Sequence, residues 1–197
     1  MRFLLSIAVM FSLPVAVPAR VVNDHLTYQT DALVDEYLVY DAAIGEMFVG
    51  IKNTGDTSGK IGVRLLAIED HTVVYPANGL GPDQNLGGLI APSLHPETLA
   101  DYRTRSRQPA MLKRSFNIQI GYVLVGSEES KRAVYEMQGG RLDRVTLSRV
   151  GFNNAHTEAL VYMGYECGGL CAEGFALFLV KESGGWKVDK KGMLWES

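Results

Sequence analysis

From Asp31 to Val49 the apolar residues Leu33, Val34, Tyr37, Leu38, Tyr40, Ile44, Met47 and Phe48 recur at three- and four-residue steps. That spacing lines one side of a helix and predicts one over 31–49, with Thr30 or Asp31 as its N-cap. A turn-rich link follows at Lys52–Lys60, built from Asn53, Gly55, Asp56, Ser58 and Gly59. Ile61–Ile68 then reads as a strand, Thr72–Tyr75 as a second, and Pro76–Gly88 as a loop. Pro96 followed by Glu97 predicts a helix start, because proline suits the first helical position and an early acid faces the positive end of the dipole. Arg103, Arg105 and Arg107 then sit near its end, where cations complement that dipole. Phe116, Ile118, Ile120, Tyr122 and Leu124 alternate with small or polar residues, the two-residue period of a strand. Ser127 is placed to cap a short helix over Glu128–Met137, which Gln138-Gly139-Gly140 closes.

The last third predicts four strands: Val145–Val150, Glu158–Tyr165, Ala172–Lys181 and Trp186–Trp195. The links between them are short turn chemistry, so successive strands pair antiparallel. In the middle two strands both alternating sets are apolar: Phe175, Leu177, Leu179 and Ala176, Phe178, Val180 on one, Ala159, Val161, Met163 and Leu160, Tyr162 on the other. A sheet with one wet face would be polar in one set, so these strands are central and covered on both sides. The long helix covers one side. The other meets further chain, a second subunit or an apolar pocket. The expected fold is α+β, an N-terminal helix packed on a curved antiparallel sheet that ends in a C-terminal β-meander, as a single domain over 20–197.

The first residues change where that domain is expected to work. Met1-Arg2 is a short positive start, Phe3 to Val17 is apolar apart from two serines and a proline, and Val17-Pro18-Ala19 offers small residues for cleavage. These are the three regions of a signal peptide, over 1–19. The run is too short for a spanning helix and is broken by Pro14 and Pro18, so no stable membrane span is expected after cleavage. The protein is read as exported, periplasmic or extracellular. In that oxidising setting Cys167 and Cys171, which enclose only Gly168-Gly169-Leu170, are expected to form a disulfide that staples a hairpin loop.

The C-terminal run Ser148-Arg149-Val150-Gly151-Phe152-Asn153 continues as Ala159-Leu160-Val161-Tyr162, the Cys167–Cys171 loop, Leu179-Val180-Lys181, Gly185-Trp186-Lys187-Val188 and Trp195-Glu196-Ser197. Over roughly the last 50 residues it resembles a group of uncharacterised bacterial exported proteins with the ending SRVGFN…ALVYV…GGL…GxWxV…WxS. Glu97-Thr98-Leu99-Ala100-Asp101-Tyr102 echoes the same group. The resemblance implies export and a sheet-forming tail, and brings no activity with it. The last hairpin also resembles that of cone-shaped domains of the nuclear-transport-factor-like type, which often hold small molecules in the hollow of the sheet.

Charge and motifs narrow the chemistry. A formal net charge of −3 lacks the basic imprint of nucleic-acid binders. The chain holds no G-x-S-x-G elbow, phosphate-binding G-x-x-x-x-G-K, H-E-x-x-H or dinucleotide G-x-G-x-x-G. No metal site and no cofactor are expected. Glu69-Asp70-His71 puts two acids beside an imidazole, but neighbouring strand residues point to opposite faces. His156 and Glu158 would share a face at a strand start and could move a proton if they lined a cleft. Glu173, just past the cysteine loop, is the remaining weak candidate. The best reading is a non-catalytic exported module that binds a small molecule or a protein on the face of the curved sheet. A hydrolase-like enzyme using His156, Glu158 or Glu173 is one alternative, and a structural or envelope interaction protein the other.

Overall fold

A computed structural model describes residues 24–48 (the backbone alone up to 33), 65–74, 94–168 and 171–197. The expected leader over 1–19, the link at 52–60 and the loop at 76–88 lie outside the described residues. The elements are α1 (Asp24–Phe48), β1 (Leu65–Glu69), α2 (Pro96–Arg105), β2 (Gly121–Val125), α3 (Glu128–Met137), β3 (Asp143–Leu147), β4 (Gly151–Phe152), β5 (Glu158–Gly168), β6 (Cys171–Glu182) and β7 (Gly185–Glu196). The fold is α+β.

One seven-stranded sheet runs in the order β2-β1-β3-β5-β6-β7, with β4 beside β3 on the same flank of β5. The meander β5-β6-β7 is antiparallel, as its short links require. The sheet as a whole is mixed rather than antiparallel, because β1 runs parallel to both β2 and β3. The reason is connection length: α2 lies between β1 and β2, and α3 between β2 and β3, which is enough chain to cross over and return in the same direction.

Local signals account for the helices. Ser127 accepts from the Ser130 backbone N–H while the Ser130 side chain receives the Ser127 N–H, a closed capping box at the start of α3. Pro96 opens α2 with Glu97 in its first turn. Helix α1 begins at Asp24, well before the expected cap. Of the apolar residues that predicted it, Tyr40, Ile44 and Phe48 are buried but Val34 and Leu38 are exposed, and Val39 and Ala43 complete the buried side. Of the strand expected at Thr72–Tyr75, the described residues show an isolated bridge from Val73 to Ser148, beside that from His71 to Met111. Only the end of the alternation 116–124 enters the sheet, as β2. Phe116 is buried among the rings of Tyr37, Tyr40 and Tyr122 instead.

Both apolar faces of the central strands are covered by the chain itself. On one face α1 packs Val39, Tyr40, Ala43 and Ile44 over Leu66, Ile68, Val161, Met163, Leu177 and Leu179. On the other, Tyr102 of α2 covers Leu160, Tyr162, Ala176 and Phe178, and Val134 of α3 covers Ala67 and Val125. Each Val, Leu, Ile, Phe or Met side chain among them that is removed from water contributes about 1.5–3 kcal/mol. Close approach on the second face depends on Gly151, where a Cβ would overlap the backbone of Tyr102. A register shift in β6–β7 brings Trp195 opposite Gly174 and Met193 opposite Phe175. Trp195 therefore packs on the α2 face, while Trp186 packs on the α1 face. Cys167 and Cys171 are disulfide-bonded across the β5–β6 connection, their Cα atoms 5.3 Å apart.

Candidate functional site at the β4–β5 turn

The turn between β4 and β5 is organised by Asn153. Its Oδ1 accepts from the backbone N–H groups of Thr157 (2.8 Å) and Glu158 (3.1 Å), and its Nδ2 donates to Thr157 Oγ1 at 2.9 Å. This is the self-folding chemistry that makes asparagine a turn former. It leaves His156 at φ 52°, a left-handed conformation that side-chain-bearing residues hold only when their surroundings impose it.

The surroundings of His156 come from three elements. Its ring stacks on Phe152, with centroids 4.8 Å apart and planes within 6°. Its Nδ1 lies 3.1 Å from Asp35 Oδ2 on α1. The other oxygen of Asp35 accepts from Lys181 Nζ at 3.3 Å, and that ammonium sits 5.2 Å from the centroid of the Trp186 ring. Asp35 thus ties the turn and the end of β6 to α1.

The next residue, Glu36, is buried, and its Oε1 accepts from Arg149 at 2.9 Å and from Arg105 at 3.5 Å. Burial holds its carboxyl above the ordinary value of 4.5. The charges of Arg149 and Arg105 and the Val150 N–H oppose that shift without cancelling it. Arg105 also pairs with Asp101 at 2.8 Å, and Asp101 accepts from the Phe152 N–H at 2.8 Å. Arg105, read from sequence as a partner of its helix dipole, is thus a bridge from α2 to α1.

Glu158 turns the other way. Its Oε2 accepts from the His95 N–H (3.2 Å) and Thr98 Oγ1 (3.1 Å), and its Oε1 lies 2.6 Å from His95 Nδ1. Its carboxylate therefore fills the first turn of α2, where backbone N–H groups lack helical partners. His156 stands in the turn and Glu158 opens the strand, and these partners lie on opposite sides of the sheet. Glu173 is in neither group. It stands between Tyr165 and Glu196 in the ladder, at the disulfide end of the strands. Glu69 parts from Asp70 and His71, which meet each other although they are neighbours in the chain. Glu69 is buried against Arg144 (2.7 Å) and Lys131 (3.0 Å), while Asp70 meets His71 Nδ1 at 2.7 Å.

Asp35, Glu36, Arg149 and Lys181 were not singled out from sequence as site residues. Glu36 alone carried a signal, being an acid one turn before Tyr40 on the buried side of the helix. Among the described residues, no three His, Cys, Asp or Glu side chains gather as a metal ion would need, and no helix is long and apolar enough to cross a membrane. No protein-family model matches the chain, and no curated protein or solved structure matches it significantly.

Proposed function

We propose that the protein is an exported, non-catalytic binding module whose contact surface is the rim formed by His156, Asp35 and Lys181, with the buried Phe152 ring beneath it. The observation that carries this reading is His156, held in a left-handed conformation by a stacked ring and a carboxylate from another element. Local strain that a structure maintains in this way concentrates at binding and catalytic positions. The apolar faces of β5 and β6 supply no binding argument, since α1 and α2 account for their burial. The non-catalytic part is supported by Glu158, whose carboxylate is occupied at the start of α2. The exported part is supported by the apolar run at 3–17 and by the Cys167–Cys171 bond, a linkage that persists in oxidising compartments.

Native mass spectrometry of the full chain exported from a bacterial host tests this. The wild type is expected to carry a non-covalent adduct that is absent under denaturing conditions. His156→Gly keeps the backbone conformation, which glycine adopts freely, and removes the ring; it should lose the adduct while melting within a few degrees of the wild type. An adduct-free wild type, or an adduct retained by a folded His156→Gly, defeats the reading. A second reading, a hydrolase-like enzyme, is favoured by one observation: Asp35 orients the imidazole of His156 through Nδ1 as the carboxylate of a general-base pair does. Turnover of a panel of simple esters and glycosides, abolished by His156→Gly and by Asp35→Asn, would select it.

A further inference from the structure

We draw no further inference here: the strongest candidate, the furrow on the α2 and α3 side of the sheet where Gly164 and Gly174 stand directly opposite each other, has its glycine floor already filled by the chain's own Thr146, Tyr162 and Trp195 side chains, and nothing in the structure shows a ligand or partner that covers it.

Discussion

The hydroxyl of Tyr40 donates a 2.9 Å hydrogen bond to the carbonyl of Ser148, 108 residues away and buried. Ser148 lies where β3 passes into β4 with one more residue than the facing stretch of β5, between the pairs Leu147–Met163 and Gly151–Leu160. The irregularity disturbs the ladder, and two side chains repair it. Ser148 Oγ accepts from the Tyr162 N–H at 2.9 Å, and Tyr40 satisfies the carbonyl from α1. Tyr40→Phe should therefore cost about 1–3 kcal/mol at neutral pH, the usual result of orphaning a buried acceptor. Burial also holds the Tyr40 phenol well above its ordinary value of 10.0. A raised folded value means that this contribution is whole below pH 10 and is lost as pH rises from there towards the folded value. The gap between wild type and Tyr40→Phe should narrow above pH 10. Urea melts at pH 7 and pH 10.5 check both statements, and an unchanged gap would refute the second.

Glu158 is expected to behave as a structural residue. Glu158→Ala leaves the His95 N–H and the Thr98 hydroxyl without their acceptor beside a helix start, at a cost of about 1–3 kcal/mol. Glu158→Gln keeps one acceptor oxygen and should lose less. Truncating the exposed His95 should lose least, because a solvent-facing pair contributes about 0–1 kcal/mol. Thermal melts of the three variants give the order, and a larger loss for His95→Ala than for Glu158→Ala would overturn it.

Helix α3 and the strands β5–β7 were legible because their causes are local: the Ser127 cap, the two-residue alternation and the short turns between strands. The coverage of both faces of β5 and β6 followed from the same alternation. The parallel pairing of β1 with β2 and β3 was not read, although helices were expected between those strands. Pairing partners are chosen by crossovers that no short window displays. The site shows the same division. His156 and Glu158 stood out as a nearby acid and imidazole, yet the partners that define them are Asp35, 121 residues from His156, and His95, 63 residues from Glu158. A residue's own segment records its type and its face, and the tertiary fold decides what it meets.

Two glycines should respond in opposite directions to alanine. At Gly151 a Cβ would overlap the backbone of Tyr102, so Gly151→Ala must push α2 away from β4, at about 1–3 kcal/mol. At Gly45, inside α1, an added Cβ meets nothing within 4 Å, and Gly45→Ala should gain about 0.5–1 kcal/mol from helix propensity and a less free unfolded chain. Denaturant midpoints with an unchanged slope would report both effects. Equal responses would mean that the contact between α2 and β4 is softer than its geometry implies.

The Cys167–Cys171 bond closes a loop of five residues. On the chain-entropy account that is about 2 kcal/mol of stabilisation, or about 4–8 °C in melting temperature for a domain of this size. Cys167→Ser with Cys171→Ser should show that loss and no more, since the β5–β6 ladder continues well beyond the loop. Melting the double variant beside the wild type under non-reducing conditions measures it. A collapse of the fold would show that the bond, and not the ladder, holds the hairpin together.

Glu36 offers a pH test of the contact between α1 and the β4–β5 turn. Its folded-state carboxyl value is raised by burial, the two arginines notwithstanding. The native state therefore holds this proton more tightly than the unfolded chain does. The sign follows: the associated stability is whole below pH 4.5 and is lost as pH rises through the folded value. Above that window Glu36 is a buried anion that Arg149 and Arg105 compensate. Glu36→Ala strips both arginines of their shared acceptor, and breaking a buried pair from one side costs about 3–5 kcal/mol. Glu36→Gln keeps an acceptor for Arg149 and cannot titrate, so it should lose less and should lack the wild type's decline just above pH 4.5. Stability curves from pH 4 to 7 for the wild type and both variants separate the effects. If wild type and Glu36→Gln ran parallel across that range, burial would not be what governs this carboxylate, and the two arginines would.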